Sequence, residues 1–269
     1  MYKRQLLRRL KSDPAVISDL PDKNEMVVHA SLTPEQAGLY HAVVDDMLEK
    51  INQAKGLQRK GAVLAALTKL KQVCNHPAHY FGDVSAVLRH GQHRSGKVAL
   101  LEELLSTILA EGEKALIFTQ YKEFGDYLAN YLHQRFNVAV PFLHGSLRRE
   151  ERDAMVESFQ SAEGAPLMVL SLKAGGTGLT LTAANHVIHC DRWWNPAVEN
   201  QATDRAYRIG QTKDVQVRKL VCDGTIEERI DDIIAHKSTM SDLVVGTGET
   251  WLTELDDDQL QELFRLEVK

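Results

Sequence analysis

Cysteine is scarce. Cys74, Cys190 and Cys222 stand far apart in 269 residues, with no paired spacing. That excludes a disulfide framework and a thiolate zinc site, and it suits a reducing cytoplasm. No apolar run approaches the roughly 18 residues that a membrane span needs. The opening MYKRQLLRRLK is basic and lacks the apolar core of a secretory signal. A strong net charge is missing too. Lys and Arg total 32 against 37 Asp and Glu, and Glu249 to Lys269, with seven acids and two bases, accounts for the whole deficit of −5. The remainder is balanced, so charge neither demands nor forbids a local basic groove for nucleic acid. The chain is 43% hydrophobic and 26% charged, the make-up of an ordinary globular protein with a proper core.

A complete nucleotide-hydrolysing motif is also absent. Residues 91–98, GQHRSGKV, fit GxxxxGK and then fail, because Val98 stands where a magnesium-binding Ser or Thr belongs. No apolar strand leads into them, and no acidic DExH-type metal site occurs. By itself the chain is therefore expected not to hydrolyse a nucleotide. Lys97 reads as a surface lysine at a helix start. Cys74-Asn75-His76 offers too few ligands for zinc, and His76-Pro77 marks a helix end.

Residues 1–95 read as helical and irregular. Thr33, Pro34 and Gln36 form a helix start signal, with N-cap, first helical residue and capping-box partner in order. A second amphipathic helix is expected over Lys60–Val73. From Lys114 onward, short apolar runs (KALIFT, VAVPFL, PLMVLS, HVIHC, VQVRKLV) alternate with helical stretches at Tyr121–Arg135, Leu147–Phe159, Pro196–Ile209 and Thr225–Val245. That alternation predicts an α/β fold, a parallel sheet with helices on both faces and its working residues in loops beyond the C-terminal strand ends. WLTELDDDQLQELFRL reads as an acidic amphipathic helix after a GTGET break.

Two stretches carry chemistry. SLKAGGTGLTLT, residues 171–182, follows an apolar strand; its glycines permit a tight turn, and Lys173 and Thr177 add a cation and a hydroxyl. A plain glycine turn and a phosphate-contacting loop are both open here. In CDRWWNPAVENQATDRAYRIGQ, Asn195 and Pro196 start a helix on which Gln201, Arg205 and Arg208 fall at i, i+4 and i+7, along one face. Asp204 lies beside that stripe, placed to orient an arginine. A salt-bridged surface would explain one arginine; two in line with an amide suit forked contact with phosphate oxygens. Trp193-Trp194 also fit as core aromatics, and His144 as a turn histidine.

Taken in order, LLRRLKSD, LTPEQAGLY, LKQVCNHP, SGK, KALIFTQY, FLHGSLRREERDAMVESF, SLKAGGTGLTLTAANHVIHCDRWWNP, QATDRAYRIGQ and DGTIEERI resemble the C-terminal RecA-like helicase lobe of a Swi/Snf-type ATPase, of the short bacterial kind. The family comprises helicase-like translocases on double-stranded DNA and chromatin remodellers. The resemblance implies a RecA-like lobe at residues 96–245, preceded by a helical subdomain and linker at 1–95 and followed by an acidic tail at 246–269. It implies that Arg205 and Arg208 are arginine fingers, with Gln201, Asp204, Gly175 and Gly176 on the ATP side. Gln120, His144, Gly145, Ser146, Lys173, Thr177, Trp193 and Trp194 would meet the DNA backbone. Asp191 and Asn195 would couple the two.

ATP and Mg²⁺ would be held mainly by an N-terminal RecA-like lobe of the same parent protein, which has no counterpart in this sequence. MYKRQ fits no family pattern, so a fragment or a lobe-only piece is expected. Tyr207 stands where the family usually has His. Duplex DNA, with protein on it as cargo, is the expected partner, and the cytoplasm or nucleoid the expected place. A DEAD-box RNA unwinder is disfavoured because its HRxGRxGR-type motif is absent. The remaining rival is a non-catalytic phosphate- or nucleotide-binding regulatory α/β module.

Overall fold

The structure is a computed structural model that describes residues 20–83, 85–171, 178–193, 195–235 and 248–267. Its elements in chain order are β1 (Lys23–Ala30), α1 (Pro34–Gln53), α2 (Leu57–Asn75), α3 (Pro77–Phe81), β2 (Leu88–Arg89), β3 (Gln92–His93), α4 (Gly96–Ala110), β4 (Ala115–Thr119), α5 (Lys122–Phe136), β5 (Phe142–Leu143), α6 (Arg149–Gln160), β6 (Leu167–Ser171), β7 (His186–His189), α7 (Pro196–Thr203), β8 (Val215–Cys222) and α8 (Ile226–Ala235). A 3-10 turn at Gly248–Glu254 and α9 (Asp257–Phe264) follow.

The expected parallel sheet forms. Its six strands run in the order β1-β8-β7-β4-β6-β5, every pair parallel. Because strand side chains alternate between faces, β4 divides its residues. Ala115 and Ile117 join Leu101, Leu105, Leu128 and Leu132 of α4 and α5 on one face. Leu116 and Phe118 join Phe159 of α6 and Ala202 of α7 on the other. Both faces are covered, as a parallel sheet requires.

Three strands were not expected, the short hairpin pair β2-β3 and, in the main sheet, β1. β1 lies in the stretch read as helical and irregular, yet it forms the sheet edge beside β8, with Lys23 opposite Val215 and Ala30 opposite Cys222. Most of its residues are exposed, so it lacks the alternation that marks a half-buried strand.

The N-terminal helices obey their local signals. Thr33 caps α1 in a capping box with Gln36, and α2 stops at Asn75 before His76-Pro77. His76 then caps α3, its Nδ1 accepting the Ala78 N–H at 3.0 Å. Ser95 caps α4, and Gly96 follows because a Cβ there would lie 1.8 Å from the Ser31 carbonyl oxygen. A third core unites α1, α2 and α8 with the chain's last segment, through Tyr40, Met47, Leu67, Leu70, Ile230, Trp251, Leu260 and Phe264. The tail is a 3-10 turn and a separate helix capped by Asp256, not the single helix expected. No described helix is long and apolar enough to cross a membrane.

Candidate functional site

The GQHRSGKV stretch is not a phosphate loop. Its first residues form the turn and second strand of a short hairpin, β2-β3, and Lys97 is 1% exposed rather than a surface lysine. Its Nζ donates to both Glu227 carboxylate oxygens at 2.8 Å and to Asn75 Oδ1 at 3.2 Å. An ammonium so engaged inside the protein is not offered to a ligand.

Gln120, His144, Gly145, Ser146, Asp191, Trp193 and Asn195 follow the C-terminal ends of β4, β5 and β7. Asp191, fully buried, accepts the Thr119 hydroxyl at 2.6 Å, the Gln120 N–H at 2.9 Å and the Asn75 amide at 3.2 Å. Burial pushes its pKa up, against those hydrogen bonds and the charges of Lys97 and Lys71. The Gln120 side chain donates to the Arg192 carbonyl at 2.6 Å. His144, Gly145 and Ser146 lie beyond β5, which β6 separates from β4 in the sheet. The His144 ring packs 4.9 Å from Phe142, and its Nδ1 accepts the Ser146 N–H, while Gly145 and Ser146 are exposed.

Trp193 is half-buried against the core, and its N–H donates to Glu199 at 2.9 Å. Glu199 also holds buried Arg192 at 3.0 Å, and Arg192 reaches Asp231 on α8. Asn195 is the N-cap of α7, accepting the Ala197 N–H at 2.9 Å. Lys173, Gly175, Gly176, Thr177 and Trp194 lie outside the described residues.

The arginine segment departs from expectation. Helix α7 ends at Thr203, so Gln201 stands exposed on the helix while Asp204, Arg205 and Arg208 belong to the turns that follow. In a continuing helix the Arg205 carbonyl would accept from Ile209; here Leu181 N–H takes it at 2.8 Å. Arg208 donates to the Leu179 carbonyl at 3.2 Å. Arg205 is buried, its guanidinium 5.8 Å from the Phe118 ring centre, and burial lowers its pKa. The arginines therefore do not share a helix face. They are laced to residues 179–181, the segment that leaves the glycine-rich stretch.

Sequence reasoning missed the residue that secures this lacing. Gln211 is buried; its Nε2 donates to the carbonyls of Thr182, Ala184 and Ala206 at 3.2, 2.9 and 3.1 Å. Its Oε1 accepts the N–H groups of Thr212 and Lys213, both at 3.0 Å. The closing Gln of QATDRAYRIGQ, beside Gly210 at φ +100°, was the available signal.

Comparison with known proteins resolves the family. Residues 96–210 match the helicase conserved C-terminal domain and residues 1–79 the SNF2-related domain. The solved C-terminal domain of the Sulfolobus solfataricus SWI2/SNF2 ATPase superposes with a TM-score of 0.77 at 40% identity, covering 92% of this chain and 100% of that one. This chain belongs to the SWI2/SNF2 ATPase family.

Within the SWI2/SNF2 ATPases, the core from the same archaeon in complex with dsDNA superposes with a TM-score of 0.83 at 45% identity, over 97% of this chain and 54% of that one. A putative ATP-dependent helicase/translocase of Bacillus subtilis, YwqA, is 50% identical over 97% of this chain and 28% of its own length. A human SWI/SNF-related regulator of chromatin is 34% identical over 98% of this chain and 25% of its own. The chain thus spans about a quarter of the length of the curated relatives it matches.

Proposed function

We propose that this chain is the C-terminal lobe of an ATP-driven translocase on duplex DNA, with residues 96–245 the RecA-like lobe and β1, from the stretch before it, added to its sheet. The observation that carries this is the lacing of the arginine segment to residues 179–181. It sets two guanidinium-bearing residues against the exit of the glycine-rich stretch, Arg208 through its side chain and Arg205 through its carbonyl. A γ-phosphate presented by a facing N-terminal lobe would meet Arg205 and Arg208, which steady charge as phosphoryl transfer proceeds. Such fingers are worth roughly 10³–10⁵ in rate.

The residues here fit the phosphate side of ATP and not the metal side. Among the described residues, the groups able to gather three metal ligands include none from the arginine segment. In this reading Mg²⁺ is held by the facing lobe, with the substrate phosphates. Gln120, the His144–Ser146 loop, Lys173, Thr177 and the Trp193-Trp194 pair would face the DNA backbone, with Asp191 and Asn195 between the two sites. Contact of that kind is salt-dependent and weakly sequence-specific. The relative solved in complex with dsDNA and the B. subtilis relative's description as a putative ATP-dependent helicase/translocase support work on DNA.

The test is ATP turnover by the two-lobe protein with and without duplex DNA. Arg205→Ala and Arg208→Ala are each expected to reduce DNA-stimulated turnover by about 10³ or more while DNA binding stays near normal. Full activity in both variants removes the finger assignment. The isolated chain is expected to show no turnover.

A further inference from the structure

A buried polar chain joins the helical subdomain to the C-terminal rim of the sheet. It starts at Glu227 on α8, passes Lys97 at the start of α4 and Asn75 at the end of α2, and reaches Asp191, which holds Thr119 and Gln120. Lys97 and Glu227 are 1% exposed, and Asn75, Asp191 and Thr119 are wholly buried. Asn75 is the one member that faces both ways. Its Oδ1 accepts from the Lys97 ammonium at 3.2 Å while its Nδ2 donates to Asp191 at 3.2 Å. An amide accepts from a cation through its oxygen and donates to a carboxylate through its nitrogen at once. Its backbone carbonyl also accepts the Ser95 hydroxyl at 2.7 Å, which ties it to the cap of α4.

We propose that Asn75 is a positioning residue for the DNA-gripping rim. By bonding Asp191 it fixes the carboxylate that holds the Thr119 hydroxyl and the Gln120 N–H, so the seating of α2 and α4 sets where Gln120 stands. The inference rests on the proposed function for its DNA readout and on geometry alone for its structural one. A half-satisfied buried network is worse than none, so loss of the amide should free Asp191 rather than be absorbed. The ionisable groups facing this spot are Lys71, Lys97, Glu227, Asp191, His79 and the thiols of Cys74, Cys190 and Cys222.

Two variants of the two-lobe protein test it, read by DNA-stimulated ATP turnover and by hydrogen exchange of the Gln120 amide. In Asn75→Leu the DNA concentration for half-maximal stimulation is expected to rise about tenfold or more, with turnover at saturating DNA reduced less, and Gln120 N–H exchange to quicken about tenfold. Unchanged half-saturation together with unchanged exchange overturns the proposal. Asn75→Asp places a second carboxyl against Asp191, and two carboxyls so close bind one proton between them well above the ordinary range. Relative to wild type at each pH, its defect should match that of Asn75→Leu at about pH 8 and recede towards about pH 6, as the shared proton restores a donor. A defect of the same size at every pH overturns the proposal, and this variant decides alone if Asn75→Leu fails to fold. Should wild-type turnover ignore DNA, the functional reading fails, and the Gln120 amide still decides the role of Asn75.

Discussion

Lys97 and Glu227 are the residues whose removal should matter most to stability. Burial works against the Lys97 charge, yet the Glu227 carboxylate beside it holds its pKa above the ordinary lysine value. Lys97→Met leaves that carboxylate buried with its cation gone, a change that typically costs about 3–5 kcal/mol. Thermal unfolding of Lys97→Met should show it, and Lys97→Met combined with Glu227→Leu should recover much of the loss. A double variant no better than the single one would mean the pair matters through packing rather than charge. Three histidines make a separate statement about pH. His76, His79 and His189 are held down to about 4, chiefly by burial. Unfolded histidine takes a proton near about 6.5, so between those values the unfolded chain binds more protons than the folded one. Stability is therefore full above about pH 6.5 and drains away as pH falls towards 4. Denaturant midpoints at pH 7.5 and pH 5 would differ accordingly, and equal midpoints would contradict the burial of neutral rings.

Among the elements, those governed by local rules were legible in the sequence. Thr33-Pro34 and Asn195-Pro196 start their helices where cap chemistry places them, and the apolar runs from Lys114 onward become strands. The end of α7 was not legible. Gln201, Arg205 and Arg208 keep helical spacing, but the Leu181 N–H, 24 residues earlier in sequence, claims the Arg205 carbonyl and breaks the ladder. No local pattern announces a tertiary hydrogen bond, and for Gln211 as its anchor the one signal was its place beside Gly210 at the end of QATDRAYRIGQ. That anchor gives a prediction at this scale. Gln211→Ala removes three bonds donated to the carbonyls around the arginine turn and two accepted from the next residues. Misplacing a catalytic group by about 1 Å can cost about 100-fold in rate. Turnover of the two-lobe protein should fall by that order with DNA affinity little changed; unaltered turnover would show that the turn holds without it.

At the scale of the whole molecule, the first and last described segments are bound into the fold. β1 extends the sheet, and the acidic last segment, which accounts for the net charge, buries Trp251, Leu252, Leu260 and Phe264 against α1, α2 and α8. Its composition hid this role, because seven acids draw the eye from four apolar residues that point inward. Charge and packing in the tail make opposite claims about its weight, and two substitutions separate them. Arg59 pairs with Asp257 at 2.6 Å, but Asp257 is half exposed, and ion pairs of that kind contribute about 1 kcal/mol or less. Phe264 has no exposed surface, and truncating a buried phenylalanine typically costs about 3–5 kcal/mol. Asp257→Ala should therefore shift the unfolding midpoint slightly and Phe264→Ala strongly, although the two positions are seven residues apart on one short helix. The Phe264→Ala loss should also reach the rim, because α8, which the tail supports, carries the Glu227 that holds Lys97. Faster exchange of the Gln120 amide in Phe264→Ala would reveal that path; a loss of stability with the rim amide still protected would confine the tail to the helical core.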